Sequence, residues 1–237
     1  PLYTAFIDFR KAYDCVDRQL LWCVLRQLGI HGNMLEALQG MYGDVRMQVR
    51  SSAGLGEAFR AEVGVRQGDP LSPLLFGLFI DRFERFLAQK CMGTGALLAG
   101  DFNVDGTPHE NARLLQLLLY ADDLLLLAHT PGQLQAMLDC LHEFCIANRM
   151  AVNVAKSVVM VCGKPPRGLD PTFVYAGMDL PCLAQFAYLG IKFEPGEHLM
   201  SCLERNMQRA QAVGCALAKR CAELALHNVM VRCNLFN

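Results

Sequence analysis

The spacing of hydrophobic and polar positions changes several times along the chain, and each change marks an element. Residues 3–7 are almost wholly apolar and read as a short strand that runs straight into Asp8. From Val16 onward Leu20, Leu21, Val24, Leu25 and Leu28 recur at helical spacing, which predicts an amphipathic helix stopped by Gly29. A second short helix is predicted behind Asn33, ending near Gly43. Val45, Met47 and Val49 then alternate, residues 51–56 read as a turn, and Phe59, Ala61 and Val63 alternate again, which is the pattern of a β-hairpin.

Ser72 and Pro73 read as the N-cap and first residue of a helix that buries Leu74, Leu75, Leu78, Phe79 and Phe83. Residues 91–113 hold five glycines or prolines and read as a loop or ribbon. Leu114 to Tyr120 and Leu124 to Ala128 are apolar runs too short for helices, so they predict a hairpin around Ala-Asp-Asp. Thr130, Pro131 and Gln133 open a further helix with a capping-box pair, and Leu134, Met137, Leu138, Leu141 and Phe144 line its buried face. Strands follow around residues 158–161, 173–175 and 188–193, and a long helix is predicted from Glu197 past Leu224. This order predicts an α+β fold with helices packed on one face of an antiparallel sheet.

Composition narrows the class. With 237 residues, 53% of them hydrophobic and 19% charged, the chain can bury a sizeable core and is not disordered. Its 22 basic and 23 acidic residues leave a net charge of −1, which favours neither a nucleic-acid nor a membrane partner. That neutrality hides a basic end: Arg205, Arg209, Lys219, Arg220 and Arg232 against Glu204 and Glu223 give a local charge of +3. No apolar run reaches the roughly 18 residues of a membrane span, so the chain reads as soluble. It starts at Pro1 and stops at Asn237 inside a helical pattern, and so reads as an excerpt of a longer reading frame. Eleven cysteines without a C-x-x-C pair or a zinc-like spacing read as free thiols in a reducing compartment, mostly buried, with Cys23, Cys140 and Cys215 at apolar positions.

The chemical anomaly lies in residues 114–128, where Asp122 and Asp123 interrupt two of the most apolar stretches in the chain. A tight turn tolerates aspartates on conformational grounds, although a two-residue hairpin turn more often takes Asn-Gly or Asp-Gly. Ionised carboxylates beside a buried sheet otherwise need a cation or hydrogen bonds. Asp8 ends the first strand with apolar neighbours on both sides. If that strand lies beside the hairpin, three carboxylates converge at one end of a sheet, a constellation suited to two Mg²⁺ ions and in-line phosphoryl transfer.

Five ordered blocks carry a resemblance. Phe-Ile-Asp-Phe-Arg-Lys-Ala-Tyr-Asp-Cys-Val-Asp at 6–17, Gly-Val-Arg-Gln-Gly-Asp-Pro-Leu-Ser-Pro-Leu-Leu-Phe at 64–76, Tyr-Ala-Asp-Asp at 120–123, Asn-Val-Ala-Lys-Ser at 153–157 and Tyr-Leu-Gly-Ile at 188–191 resemble reverse transcriptase motifs A to E in order. The resemblance implies the palm of a right-hand polymerase with part of the fingers and the start of a helical thumb. Residues 1–17 would be palm, 18–63 a fingers/palm spacer, 64–193 palm and 194–237 the start of the thumb. It further implies an RNA-directed DNA polymerase whose partners are an RNA template, a DNA primer and deoxynucleoside triphosphates, with no membrane partner.

The resemblance also assigns roles. Asp8, Asp122 and Asp123 would hold two Mg²⁺ ions, or Mn²⁺, helped by the backbone carbonyl of Phe9. Tyr13, five residues after Asp8, would exclude a 2′-hydroxyl, where RNA-templated RNA polymerases tend to place an acid that here falls one residue later at Asp14. Arg66, Gln67 and Gly68 would position nucleotide and template, Lys156 would give a proton to pyrophosphate, and Tyr188, Leu189 and Gly190 would form the primer grip. The bland readings are a core aromatic for Tyr13, a capped loop for residues 66–68 and an exposed strand lysine for Lys156.

Arg-Lys-Ala-Tyr-Asp after Asp8 and the length of the 18–63 spacer resemble non-LTR (LINE-type) retrotransposons, with group II intron enzymes the nearest rival. A decayed, inactive relic and a non-catalytic RNA-binding module are the readings of other classes. The fingers segment usual upstream of the first block has no counterpart here, which predicts one face of the palm left uncovered. A parent polyprotein would supply other domains and would work in the cytoplasm and nucleus.

Overall fold

The computed structural model describes residues 1–52, 54–97, 114–163, 171–193, 207–208, 210–216 and 219. They fall into two compact units, Pro1–Leu183 and Ala184–Asn237. In chain order the first unit contains β1 (Leu2–Asp8), α1 (Arg18–Gln27), α2 (Gly32–Gly43), β2 (Arg46–Met47), β3 (Arg50–Ser51), β4 (Gly54–Leu55) and β5 (Phe59–Arg60). It continues with α3 (Ser72–Ile80), α4 (Arg82–Lys90), β6 (Ala96–Leu97), β7 (Leu114–Leu115), β8 (Leu117–Tyr120), β9 (Asp123–Ala128) and α5 (Pro131–Ala147). It ends with β10 (Val158–Cys162), β11 (Phe173–Tyr175) and β12 (Met178–Leu180), while β13 (Phe186–Tyr188) and β14 (Ile191–Phe193) belong to the second unit.

The first unit is α+β, built on an antiparallel sheet of order β10-β1-β9-β8. Central strands buried on both faces read as continuous apolar runs, which is why 3–7 and 124–128 lack alternation. Register separates their two faces. Tyr3, Ala5, Ile7, Leu124, Leu126, Ala128 and Val159 join the core under the helices, where α3, α4 and α5 contribute Phe76, Phe79, Phe83, Leu87, Leu138 and Leu141. Each fully buried Leu, Ile, Val or Phe in this layer contributes about 1.5–3 kcal/mol.

Thr4, Phe6, Leu125, Leu127, Val158 and Met160 occupy the opposite face and are buried as well. The central strands therefore do not leave the expected face uncovered, while Leu118 and Tyr120 on the edge strand β8 are exposed.

Asp17 caps α1, accepting from the amides of Gln19 and Leu20, and Arg149 completes its partners at 2.7 Å. Thr130 caps α5 by accepting from Gln133 N, and the Gln133 side chain accepts in return from His129 N. Several expectations change. Ser72 is the first residue of α3 rather than its cap, because its hydroxyl is buried against the Tyr42 hydroxyl and Asp69 instead accepts from Leu71 N. Leu74 faces outward, and the helix breaks at Asp81 into α3 and α4. Residues 188–193 are a hairpin rather than one strand, since Leu189 and Gly190 both take positive φ between β13 and β14. Cys23 and Cys215 are exposed, whereas Cys91, Cys140 and Cys145 are buried, and these five are thiols outside any disulfide.

The hairpin expected over residues 45–63 forms as a ribbon of two short paired segments, β2 with β5 and β3 with β4. Most of the loop expected at 91–113 and most of the helix expected from 197 lie outside the described residues, although 210–216 are helical. Among the described residues no helix is long and apolar enough to cross a membrane.

Candidate active site

Asp8 is the last residue of β1 and pairs directly with Asp123, the first residue of β9. Side chains of directly opposed residues share a face with Cβ atoms about 4.5–5.5 Å apart, and alternation puts both carboxylates on the same face as Phe6 and Leu125. Asp122 occupies the two-residue turn from Tyr120 to Asp123, next to Ala121 at φ 53°. A positive φ in a non-glycine residue is uncommon and costs conformational energy. The strain sits where the chain must reverse within two residues and leave adjacent aspartates at the sheet end.

The three carboxylates interact. Partial burial pushes the Asp123 carboxyl above the ordinary carboxylate range, and the negative charges of Asp122 and Asp8 push it further the same way. The Tyr13 hydroxyl is also shifted up, first by burial and then by the charge of Asp122. Tyr13 thus lies within the field of Asp122. It sits in the turn of residues 10–15, and its ring stacks on Phe76 of α3 with centroids 5.1 Å apart.

Among the described residues no three His, Cys, Asp or Glu side chains form a closed metal-ligating group. The donor chemistry nonetheless suits a hard divalent cation, because all three groups are carboxylates, and the charges of Asp122 and Asp8 add to the burial that raises the Asp123 pKa. Phe9 buries its ring in the core, so only its backbone is available to such a site.

The segment at 64–68 is anchored by its backbone. Gly64 donates to the Val16 carbonyl at 2.8 Å and Val65 to the Tyr13 carbonyl at 2.8 Å. Gly64 has φ 84°, and a Cβ there would stand 2.7 Å from the Asp14 carbonyl oxygen. Arg18, buried at the start of α1, donates to the carbonyls of Gly64, Tyr42, Ala61 and Val63, tying the ribbon to the segment. Arg66 donates to the Met41 carbonyl and lies over the Tyr42 ring, so its guanidinium is engaged with α2. Gln67 donates to the Asp14 carboxylate at 3.3 Å, and Gly68 adopts φ 85° in open space. A cleft of about 450 Å³ lined by Lys11, Asp14, Gly64 and Arg66 adjoins this loop, and none of the three carboxylates lines it.

Lys156 is exposed on the turn 154–156 that precedes β10, a turn lysine rather than the strand lysine of the bland reading. Tyr188, Leu189 and Gly190 form the tip of the β13–β14 hairpin in the second unit. The structure therefore brings Asp8, Asp122, Asp123 and Tyr13 together, with the 64–68 segment bonded to the turn that carries Tyr13. Sequence reasoning gave no role to Gly64 or Ser157, although both lie in the ordered blocks, and it missed Arg18. Gly64 carried a further signal, as a glycine opening a block that must approach another backbone; a buried arginine carries none.

Residues 2–193 match the family model for reverse transcriptase (RNA-dependent DNA polymerase). The chain is 31% identical over 81% of its length to the retrovirus-related Pol polyprotein from type-2 retrotransposable element R2DM of Drosophila melanogaster, of which it covers 17%. It is 34% identical over 58% of its length to the retrovirus-related Pol polyprotein from type-1 retrotransposable element R2 of Nasonia vitripennis, of which it covers 12%. Among solved structures, telomerase from Candida tropicalis in complex with a telomeric RNA fragment aligns at a TM-score of 0.48 and 16% identity, over 76% of this chain and 28% of that one. The matched region contains all five ordered blocks and both strands that carry the carboxylates, and the chain therefore belongs to the reverse transcriptase family, in the form found in non-LTR retrotransposons.

Proposed function

We propose that the protein extends a DNA primer on an RNA template, using deoxynucleoside triphosphates, at the sheet end formed by Asp8, Asp122 and Asp123. The observation that carries this reading is the direct pairing of Asp8 with Asp123 beside the strained turn that holds Asp122. The oxygens of these aspartates, with the Phe9 carbonyl, would hold Mg²⁺ or Mn²⁺ ions that acidify the primer 3′-hydroxyl and neutralise charge on the leaving pyrophosphate.

The remaining steps belong to the chain's own groups. Tyr13 closes the space where a 2′-hydroxyl would sit, and its stacking on Phe76 keeps the ring from yielding. Gly68 lets the backbone approach the incoming base pair, and Gln67 leaves the Asp14 carboxylate to meet it. Arg66 shapes the loop through Met41 and Tyr42 instead of reaching the triphosphate. Lys156 Nζ, free to swing on its exposed turn, gives its proton to the leaving pyrophosphate. The tip of the β13–β14 hairpin aims the primer, and the basic residues beyond Glu204 contact duplex phosphates in a salt-sensitive way. In a retrotransposon the work is done inside the cell, in cytoplasm and nucleus.

Primer extension by the full-length protein with Mg²⁺ tests this, with deoxy- and ribonucleotides in parallel and Asp122→Asn as control. Extension with deoxynucleotides alone, lost in the control, is expected. A folded protein that binds Mg²⁺ but extends nothing would overturn the reading in favour of an inactive relic.

A further inference from the structure

The pairing of β1 with β10 runs from Leu2 opposite Cys162 to Phe6 opposite Val158, and there it stops because residues 154–156 turn away. The Asp8 amide lies just beyond the last paired position. An amide at such a point must find another acceptor. Ser157 supplies it: Asp8 N–H donates to Ser157 Oγ at 3.1 Å. The hydroxyl in turn donates to the Asn153 carbonyl at 3.0 Å, and Asn153 N–H donates to the Asp8 carbonyl at 2.8 Å. These bonds close a ring in which both backbone polar groups of Asp8 are held by the 153–157 segment. Ser157 is fully buried, so water cannot take its place.

We propose that Ser157 is a positioning residue for the acidic centre: its hydroxyl fixes the Asp8 backbone, and so the Asp8 carboxylate, against the turn that carries Lys156. This rests on the reading of Asp8 as a carboxylate that acts on a divalent cation. Three features separate the role from ordinary packing. The hydroxyl bonds to the backbone of the very residue whose carboxylate opposes Asp123. It accepts from one catalytic segment and donates to the other, so it couples them. A strand continued by one more pair could have satisfied the amide without any side chain, but would have removed the turn on which Lys156 is exposed. Groups that orient a metal ligand through a second hydrogen bond change metal affinity or rate by roughly 10- to 100-fold when removed.

The test uses the full-length protein with Ser157→Ala, Ser157→Thr and Ser157→Cys, and two independent readouts. The first is Mn²⁺ binding followed by electron paramagnetic resonance, which needs no turnover. The second is the Mg²⁺ concentration for half-maximal primer extension, measured beside KM for deoxynucleotide and the thermal midpoint. Ser157→Ala is expected to weaken Mn²⁺ binding and raise the Mg²⁺ requirement by about tenfold or more, with KM little changed. Ser157→Thr, which keeps the hydroxyl, is expected to restore most of both, and Ser157→Cys, a poorer hydrogen-bond partner, to fall between.

Metal affinity and Mg²⁺ requirement unchanged in Ser157→Ala, with only the thermal midpoint lowered, would overturn the proposal and leave Ser157 a packing residue. If Ser157→Ala fails to fold, the comparison of Ser157→Thr with Ser157→Cys decides: equal Mn²⁺ affinities in those two would overturn it. Failure of the polymerase reading is distinguishable, because it would remove extension from the unsubstituted protein while leaving the Mn²⁺ comparison intact.

Discussion

Asp8 and Asp123 stand directly opposite each other across the β1–β9 pair, with Asp122 in the adjoining turn. Two like charges at a cross-strand pair oppose folding, and the raised Asp123 pKa, caused first by burial and then by Asp122 and Asp8, reports that opposition. The folded-state value lies above the unfolded one, so the folded chain holds this proton more tightly. The group's contribution to stability is therefore fully present below the ordinary carboxylate pKa and is lost as pH rises through the folded value. Asp123→Asn removes the charge, and without added metal it is expected to raise the thermal midpoint at neutral pH by about 1–2 °C, a figure discounted for solvent screening. The difference should vanish at pH values below the carboxylate range. Melting curves of both proteins across that range check this, and a midpoint for Asp123→Asn below the parent's at neutral pH would contradict it.

If Tyr13 acts as proposed, its stacking on Phe76 ties nucleotide choice to the core, since Phe76 is fully buried on α3. Phe76→Leu keeps the site apolar but removes the flat surface against which Tyr13 rests. Discrimination against ribonucleotides is expected to fall by roughly tenfold, in line with the modest selectivity that one apolar shape difference supports. Tyr13→Ala should lower it further. Parallel kcat/KM measurements with deoxy- and ribonucleotides decide, and discrimination unchanged in Phe76→Leu would show that Tyr13 holds its position alone.

Gly64 and Gly68 both have positive φ, and their surroundings separate them. A Cβ at Gly64 would meet the Asp14 carbonyl oxygen at 2.7 Å and the Asp14 Cα at 2.8 Å, whereas a Cβ at Gly68 meets nothing within 4 Å. Gly64→Ala is expected to cost about 3 kcal/mol or more, from left-handed strain added to a clash with backbone that cannot move aside. Gly68→Ala should cost only about 1 kcal/mol, the strain alone. Urea unfolding of the two variants measures both, and equal losses would mean that the 64–68 segment yields around residue 64.

The local elements were legible because their signals are local. Asp17 before α1, Thr130 with Gln133 before α5 and the apolar stripe from Leu134 to Phe144 each depend on neighbours within a turn or two of helix, so the residues themselves disclose them. Errors arose where a long-range partner competed. Ser72 lost its cap role to a bond with Tyr42, 30 residues away, and Leu74 turned outward because the core had already been claimed by Leu75 and Phe76.

The candidate site divides the same way. Adjacent aspartates between two greasy strands, and a third at the end of another, are visible in any reading of the chain. That Asp8 meets Asp123 in register, that Phe76 backs Tyr13 and that Ser157 closes a ring of bonds around Asp8 across a separation of 149 residues are not. The sequence by itself determined which chemistry the chain carries, because residue type fixes charge, donor set and local conformation. Only the tertiary structure decided which groups act on one another, because that depends on sheet register and on which buried surfaces meet, and both are settled by packing over the whole chain.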